Sequence, residues 1–186
     1  MRALTRIARL LFGDYSLYYI YRYRSTGAVA AEARVPTLRV TEGDLIKSDR
    51  RSIADQAWYV GPECDAFGLT DERGLCAVCF YWYGDRYGEM QSFWPLAAGE
   101  AKLVQILVDQ SARGRGFATS LIEASASAMA SQGWSTLYAR IWHSNQPSLR
   151  AFDRAGWTRV AFVVELLPFG MSWKLRLRIP LRRGRD

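Results

Sequence analysis

The stretch that most constrains this chain is residues 104–118, where an apolar strand, Val104 to Val108, runs into a glycine-rich elbow and at once into a helix. From Gly116 onward Phe117, Leu121, Ala124 and Ala128 recur at helical spacing on one face, with Ile122 and Met129 beside them. Gly114 and Gly116 allow a tight turn and put no side chain over the first helical N–H groups, which have no acceptor within the helix. Those donors and the positive end of the helix dipole converge on one spot. The elbow therefore reads as an anion site, each charge-assisted bond contributing roughly 1.5–3 kcal/mol. Arg113 and Arg115 add charge at its rim.

Two familiar phosphate loops are excluded. A nucleoside-triphosphate loop ends in Gly-Lys-Ser/Thr, and no lysine follows Gly116. A dinucleotide fingerprint needs a small residue, usually glycine, where Thr119 stands, and the apolar segment from about Leu137 lacks a clear ribose-binding acid.

What does fit is Arg-x-x-Gly-x-Ala at Arg113, Gly116 and Ala118, directly after a strand ending Val108-Asp109. A second block follows, from Asn145 through Ser148 and Phe152 to Gly156 and Trp157, with a strand from Thr136 to Trp142 in between. Together these resemble the acyl-coenzyme A signature of the GNAT superfamily of N-acetyltransferases, over roughly residues 36–179. The resemblance implies an α/β chain of the α+β type: a mixed, mostly antiparallel central sheet with splayed strands and flanking helices. It implies acetyl-coenzyme A as cosubstrate and no metal. Leu107 and Val108 would supply backbone contacts to the pantetheine arm, one of their N–H groups polarising the thioester oxygen. Arg113, Gly114, Arg115, Gly116, Phe117 and Ala118 would hold the pyrophosphate, and Asn145, Ser148 and Phe152 would meet the cofactor from the second block. Each also has an ordinary reading: strand core for Leu107 and Val108, solvated charge for the arginines, and an N-cap for Asn145.

Phe152 departs from the pattern, since many relatives carry a tyrosine there as general acid, and phenylalanine has no proton to give. A coenzyme A thiol resembles cysteine, with a pKa of about 8.5, so its thiolate leaves tolerably without help. Ser148 is a candidate donor. The base position of some relatives falls on Lys102, which leaves Glu100, two residues before it on the same strand face, with Glu89 and His143 as candidates. Glu100 and Glu89 also read as solvated acids, and His143, the one histidine, as a loop or capping residue.

The chain's 186 residues and 49% apolar content suit one globular domain. Residues 1–35 read as a basic, aromatic arm, 36–179 as the acyltransferase domain, and 180–186 as a basic tail. The first 35 residues carry +4 and residues 171–186 carry +5 of the total +7, leaving −2 for the middle. Those basic ends allow contact with anionic lipid, nucleic acid or a cofactor phosphate. The arm reads either as an amphipathic membrane-surface helix or as a helix plus strand packed on the domain, given alternating Tyr19, Tyr21 and Tyr23. No apolar run reaches the 18 or so residues of a span, and the arginine-interrupted start is unlike a signal peptide, so a cytoplasmic enzyme is expected. Three cysteines without framework spacing fit a reducing compartment. Cys76 and Cys79 fall within an apolar strand reading, Leu75 to Tyr83, where residues three apart face opposite ways and cannot close a disulfide.

The remaining elements are expected as strand 37–41, helix 42–58, strands 66–70, 75–83 and 101–108, helix 116–132, strand 135–142, helix 146–155, and strands 157–166 and 171–179. Between the central strands, Tyr87, Phe93 and Trp94 are candidates to line an acceptor site. The resulting expectation is transfer of an acetyl group to a primary amine of a small molecule, an amino sugar or peptide amine, by a monomer or homodimer. The alternatives are a noncatalytic coenzyme A- or anion-binding module, and nucleic-acid binding through the basic termini, although no stable nucleic-acid complex is expected.

Overall fold

The structure, a computed structural model, describes residues 14–25, 37–91, 94–167 and 175–181. One eight-stranded sheet organises them. In chain order its strands are β1 (Asp14–Arg24), β2 (Leu38–Arg39), β3 (Cys64–Asp71), β4 (Gly74–Trp82), β5 (Glu100–Val108), β6 (Thr136–Trp142), β7 (Thr158–Leu167) and β8 (Leu175–Pro180). The helices are α1 (Glu42–Ile46), α2 (Arg51–Ala54), α3 (Gly84–Gln91), α4 (Phe117–Ser131) and α5 (Gln146–Arg154). Across the sheet the order is β2-β3-β4-β5-β6-β1-β7-β8, and every neighbouring pair is antiparallel except β5 and β6. The mixed, mostly antiparallel architecture expected from the sequence is thus present. Among the described residues no helix is long and apolar enough to cross a membrane.

Residues 14–24 of the arm form a strand inside the sheet. β1 pairs with β6 on one side and β7 on the other, and Tyr18, Ile20 and Tyr21 are fully buried. Alternating tyrosines mark a strand, but period-two alternation alone does not reveal whether its two edges are paired. The first part of the arm, residues 1–13, and the tail from residue 182 lie outside the described residues.

The helix expected over 42–58 is broken into α1, α2 and a 3₁₀ turn at Ala57–Tyr59. Arg50 explains the break. Its Nη2 donates to both carboxylate oxygens of Asp71 at 2.9 Å, and its Nη1 donates to the carbonyls of Gly74 and Leu75. Satisfying a buried guanidinium takes precedence over continuing a helix, because an unpaired buried charge costs far more than a helical turn contributes. α1 itself is set by a capping box between Thr41 and Asp44. α3, which hydrophobic periodicity did not signal, fills part of the aromatic segment.

α4 and α5 cover one face of the sheet, packing against a core that includes Phe67, Tyr81, Leu103, Leu137 and Tyr21. Cys76 and Cys79 are buried free thiols of β4. Burial pushes the Cys79 thiol up to about 12, so it stays protonated and behaves as a small core residue.

Candidate active site

β5 and β6 are in parallel register from Glu100 opposite Thr136 to Leu103 opposite Ala139, and there their pairing ends. Beyond that point each strand follows its other neighbour. Ile106 sits opposite Cys79 and Val108 opposite Ala77 on β4, while Trp142 sits opposite Tyr18 on β1. A register shift between β4 and β5 at Phe80/Tyr81 bends the pair just where divergence begins. The strands therefore open into a V.

A cavity lies on each side of this opening. One, of about 570 Å³, is lined by Ile106 to Val108, the elbow, and Asn145, Ser148 and Phe152 of the following helix. The other, of about 290 Å³ on the opposite face, is lined by Tyr59, Lys102, Val104, Gln105, Arg140 and Trp142. Ile106, Asn145, Ser148 and Phe152 belong to both, so the two cavities meet through the gap in the sheet.

The elbow is held from beneath. Asp109 accepts bonds from the Ser111 N–H at 3.0 Å and from the Ser52 hydroxyl at 2.6 Å, and its own N–H donates to the Cys76 carbonyl. Gly114 and Gly116 then adopt left-handed backbone, φ 78° and 84°. Gly116 is the N-cap of α4, and no atom lies within 4 Å of where a Cβ would sit. Backbone hydrogen bonding stops with Arg113 N–H to Gln110 and resumes with Ser120 N–H to Gly116. Among the described residues, the N–H groups of 114 to 119 find no protein acceptor. Open donors at a helix N-terminus, with nothing above the two glycines, fit a diphosphate. Arg115 lies 3.7 Å from Asp71 and over the Phe117 ring, and Arg113 donates to the Val108 carbonyl at 3.3 Å.

Hydrogen bonds from Ser111 and Ser52 hold the Asp109 carboxyl at about 2, and Arg50 lowers Asp71 as well. Both carboxyls are held below the unfolded value of about 3.9, so their stabilisation is present above about pH 4 and falls away in acid, that of Asp109 as pH drops toward 2. We expect the urea midpoint to drop across that window, and Ser52→Ala to move the drop to higher pH. A midpoint flat from pH 4 to pH 2 would contradict this account of the elbow's support.

The structure brings Leu107, Val108, the elbow, Asn145, Ser148 and Phe152 together, and leaves Glu100 and His143 apart from them. Glu100 lies at the paired end of β5, accepting from the Ala97 N–H at 2.9 Å and the Tyr138 hydroxyl at 3.3 Å. Leu107 lies seven residues further along the strand, roughly 23 Å away. Glu100 instead lines a third cavity, of about 550 Å³, together with Tyr87 and Trp94. Phe93 is outside the described residues. His143 is exposed beyond the end of β6, its N–H and Nδ1 directed at the Leu17 carbonyl. Glu89 is exposed on α3. Asn145 caps α5, its side-chain oxygen accepting from the Ser148 N–H at 3.3 Å. Sequence reasoning missed Tyr59, Gln105 and Arg140, contributed by a turn and two strands distant along the chain. Burial, and next the Arg140 charge, push the Lys102 ammonium well below its ordinary pKa. No group of His, Cys, Asp or Glu suited to a metal occurs among the described residues.

An open sheet whose one parallel pair splays, an elbow of N–H groups without an acceptor among the described residues beside it and cavities on both sides of the gap are the features that the GNAT resemblance implies. Residues 39–157 match the acetyltransferase (GNAT) family model, and the chain belongs to that family. Solved structures agree on the fold. An acetyltransferase of this family from Colwellia psychrerythraea superposes with a TM-score of 0.60 at 18% identity, over 89% of this chain and 61% of that one. Another, from Novosphingobium aromaticivorans, gives 0.60 at 16% identity, over 82% and 64%. The aminoglycoside acetyltransferase AAC(6')-Ib, solved with coenzyme A and kanamycin, gives 0.52 at 17% identity, over 70% and 94%. The chain thus spans less than two thirds of the first two relatives' length. No curated protein matches it.

Proposed function

We propose that this chain transfers an acetyl group from acetyl-coenzyme A directly to a primary amine of a small molecule. Coenzyme A lies on the α4/α5 side and the amine enters from the opposite face. The observation that carries this reading is the meeting of the two cavities at the splay, next to six backbone N–H groups that have no acceptor among the described residues. The diphosphate rests on the elbow amides and the pantetheine arm pairs with the freed edge of β5. The N–H of Leu107 or Val108 polarises the thioester carbonyl. The amine nitrogen forms a bond to that carbonyl carbon, the carbon–sulfur bond breaks, and the thiolate departs.

No carboxylate or imidazole among the described residues lines either cavity, so water takes the amine proton. That favours acceptors already neutral. A lysine-like amine with pKa near 10.4 is neutral only about one part in 2,500 at pH 7, costing about 4.6 kcal/mol, whereas an α-amine near 7.8 costs about 1. Peptide α-amines and amino sugars are the acceptor classes this supports.

Phe152 removes the phenolic acid and leaves Ser148 as the hydroxyl at the meeting point. With a thiol pKa of about 8.5, protonation demands little help, so Ser148→Ala should lower kcat by less than about tenfold. A loss beyond about a hundredfold would make the Ser148 hydroxyl an obligatory donor. The overall reading is tested by calorimetric coenzyme A binding and by thiol release across an amine panel. Binding without release on any amine points to a noncatalytic cofactor-binding module, and no binding at all defeats the reading.

A further inference from the structure

On the face of the sheet opposite α4 and α5, a short relay of amides ends at the splay. Gln56 Nε2 donates to the Ser52 carbonyl at 3.2 Å, and Gln105 Nε2 donates to Gln56 Oε1 at 3.0 Å. A main-chain carbonyl can only accept, so the relay has one direction: Gln56 presents its oxygen to β5, and Gln105 must meet it with its amide nitrogen. That leaves Gln105 Oε1. It has no hydrogen bond among the described residues, it is not sealed from solvent, and its side chain lines the cavity on this face.

A bulge delivers that oxygen to the opening. Phe80 sits opposite Gln105 and Tyr81 opposite Leu103, so Val104 is an extra residue in β5. Without it Gln105 would share the face of Leu103, which packs in the core beneath α4 and α5. With it the amide turns to the other face, just past Leu103, where pairing with β6 ends. The Tyr59 ring, stacked on Phe80 at 5.1 Å, walls the spot. Ser52, at the root of the relay, also holds Asp109 beneath the elbow, so α2 backs both sides of the splay.

We infer that Gln105 Oε1 accepts one N–H of the attacking amine and thereby selects primary over secondary amines. This rests on the acetyltransferase reading and narrows its substrate class. A neutral primary amine has two N–H bonds. As nitrogen bonds to the carbonyl carbon and the carbon–sulfur bond breaks, one proton passes to water and the thiolate leaves. The other N–H survives in the amide product, and Gln105 holds that one. Nitrogen becomes positive as it attacks, so the bond to Gln105 turns from neutral to charge-assisted on the way to the transition state. A secondary amine has a single N–H, and giving it to water leaves Gln105 Oε1 unmatched.

The test uses the full chain, acetyl-coenzyme A and two matched pairs: glycinamide against N-methylglycinamide, and glucosamine against N-methylglucosamine. In the wild type at least one primary member should exceed its N-methyl counterpart in kcat/KM. Gln105→Leu, similar in size but without an acceptor, should shrink that ratio by about 10- to 100-fold, the worth of one hydrogen bond to a charged group. The loss should fall on the primary amine, more on kcat than on KM, with calorimetric coenzyme A affinity unmoved. Gln56→Leu, which frees the amide to rotate, should shrink the ratio less, and the double variant should match Gln105→Leu alone. Gln56→Leu also decides the matter should Gln105→Leu fail to fold. An unchanged ratio in the folded variants, or no turnover of either primary amine by the wild type, overturns the inference, while calorimetric binding of coenzyme A keeps the broader reading standing. Failure to bind coenzyme A removes both.

Discussion

Gly116→Glu is expected to abolish measurable coenzyme A binding while leaving a folded protein. The backbone at this position has φ 84°, where a non-glycine residue costs roughly 1–2 kcal/mol. Nothing lies within 4 Å of the new Cβ, so no clash adds to that cost. Against a typical stability of about 5–15 kcal/mol the fold survives, with a melting temperature lower by several degrees, about 2–8 °C. Binding suffers more. The new carboxylate takes the spot on which the N–H groups of 114 to 119 converge, excluding the diphosphate and repelling it. Losing even two charge-assisted bonds of roughly 1.5–3 kcal/mol weakens affinity by about 10²- to 10⁴-fold before repulsion is counted. Gly116→Ala separates the two effects, carrying the backbone strain without the charge, and should bind more weakly than the wild type but measurably. Titration calorimetry beside a thermal melt decides the matter, and wild-type affinity in the glutamate variant would remove the elbow from the site.

The two sides of the splay differ in how far the sequence reveals them. The side we propose for coenzyme A is built from contiguous chain: a strand, two glycines at a fixed offset and a helix start. Local backbone requirements leave their mark as residue identity, and Gly114 and Gly116 both have positive φ. The second block is equally local, with Asn145 at the cap and Ser148 and Phe152 within the next two turns. The opposite side is assembled from Tyr59 on a turn, Lys102 and Gln105 on β5, and Arg140 on β6. Only strand register brings these together, and no spacing rule announces it. Lys102 shows the difference sharply: its position on β5 was readable, but its burial against Arg140 depends on which strand lies next door.

A similar limit applies to Arg50. Residues 42–58 are expected as one helix, yet the break at Arg50 goes with Asp71, a partner on β3. Glu100 teaches the converse. Sharing a strand face with Lys102 says nothing about which end of β5 faces the reaction, because the opening starts only past Leu103.

The largest stability effect is expected from Tyr21→Ala, because this residue ties β1 both into the middle of the sheet and to the wall of the cavity beside the elbow. Tyr21 is fully buried and pairs with Ala139 on β6 and Arg159 on β7. Its ring lies 5.5 Å from that of Phe152. Its hydroxyl donates to Asp153 at 2.8 Å and accepts from Arg159 at 2.7 Å. Truncating a buried aromatic side chain costs about 3–5 kcal/mol, the cavity left behind adding to the lost burial. That is much of a typical domain's stability of about 5–15 kcal/mol. Tyr21→Phe keeps the ring and loses only the hydroxyl, for about 1–2 kcal/mol. The ordering has a functional consequence, since Phe152 is positioned partly by Tyr21. Coenzyme A affinity should fall in the alanine variant even at temperatures where it remains folded, and stay near normal in the phenylalanine variant. Urea unfolding followed by circular dichroism measures the first effect and calorimetry the second. If Tyr21→Ala left the urea midpoint unchanged, β1 would be an accessory to the sheet and not one of its interior strands.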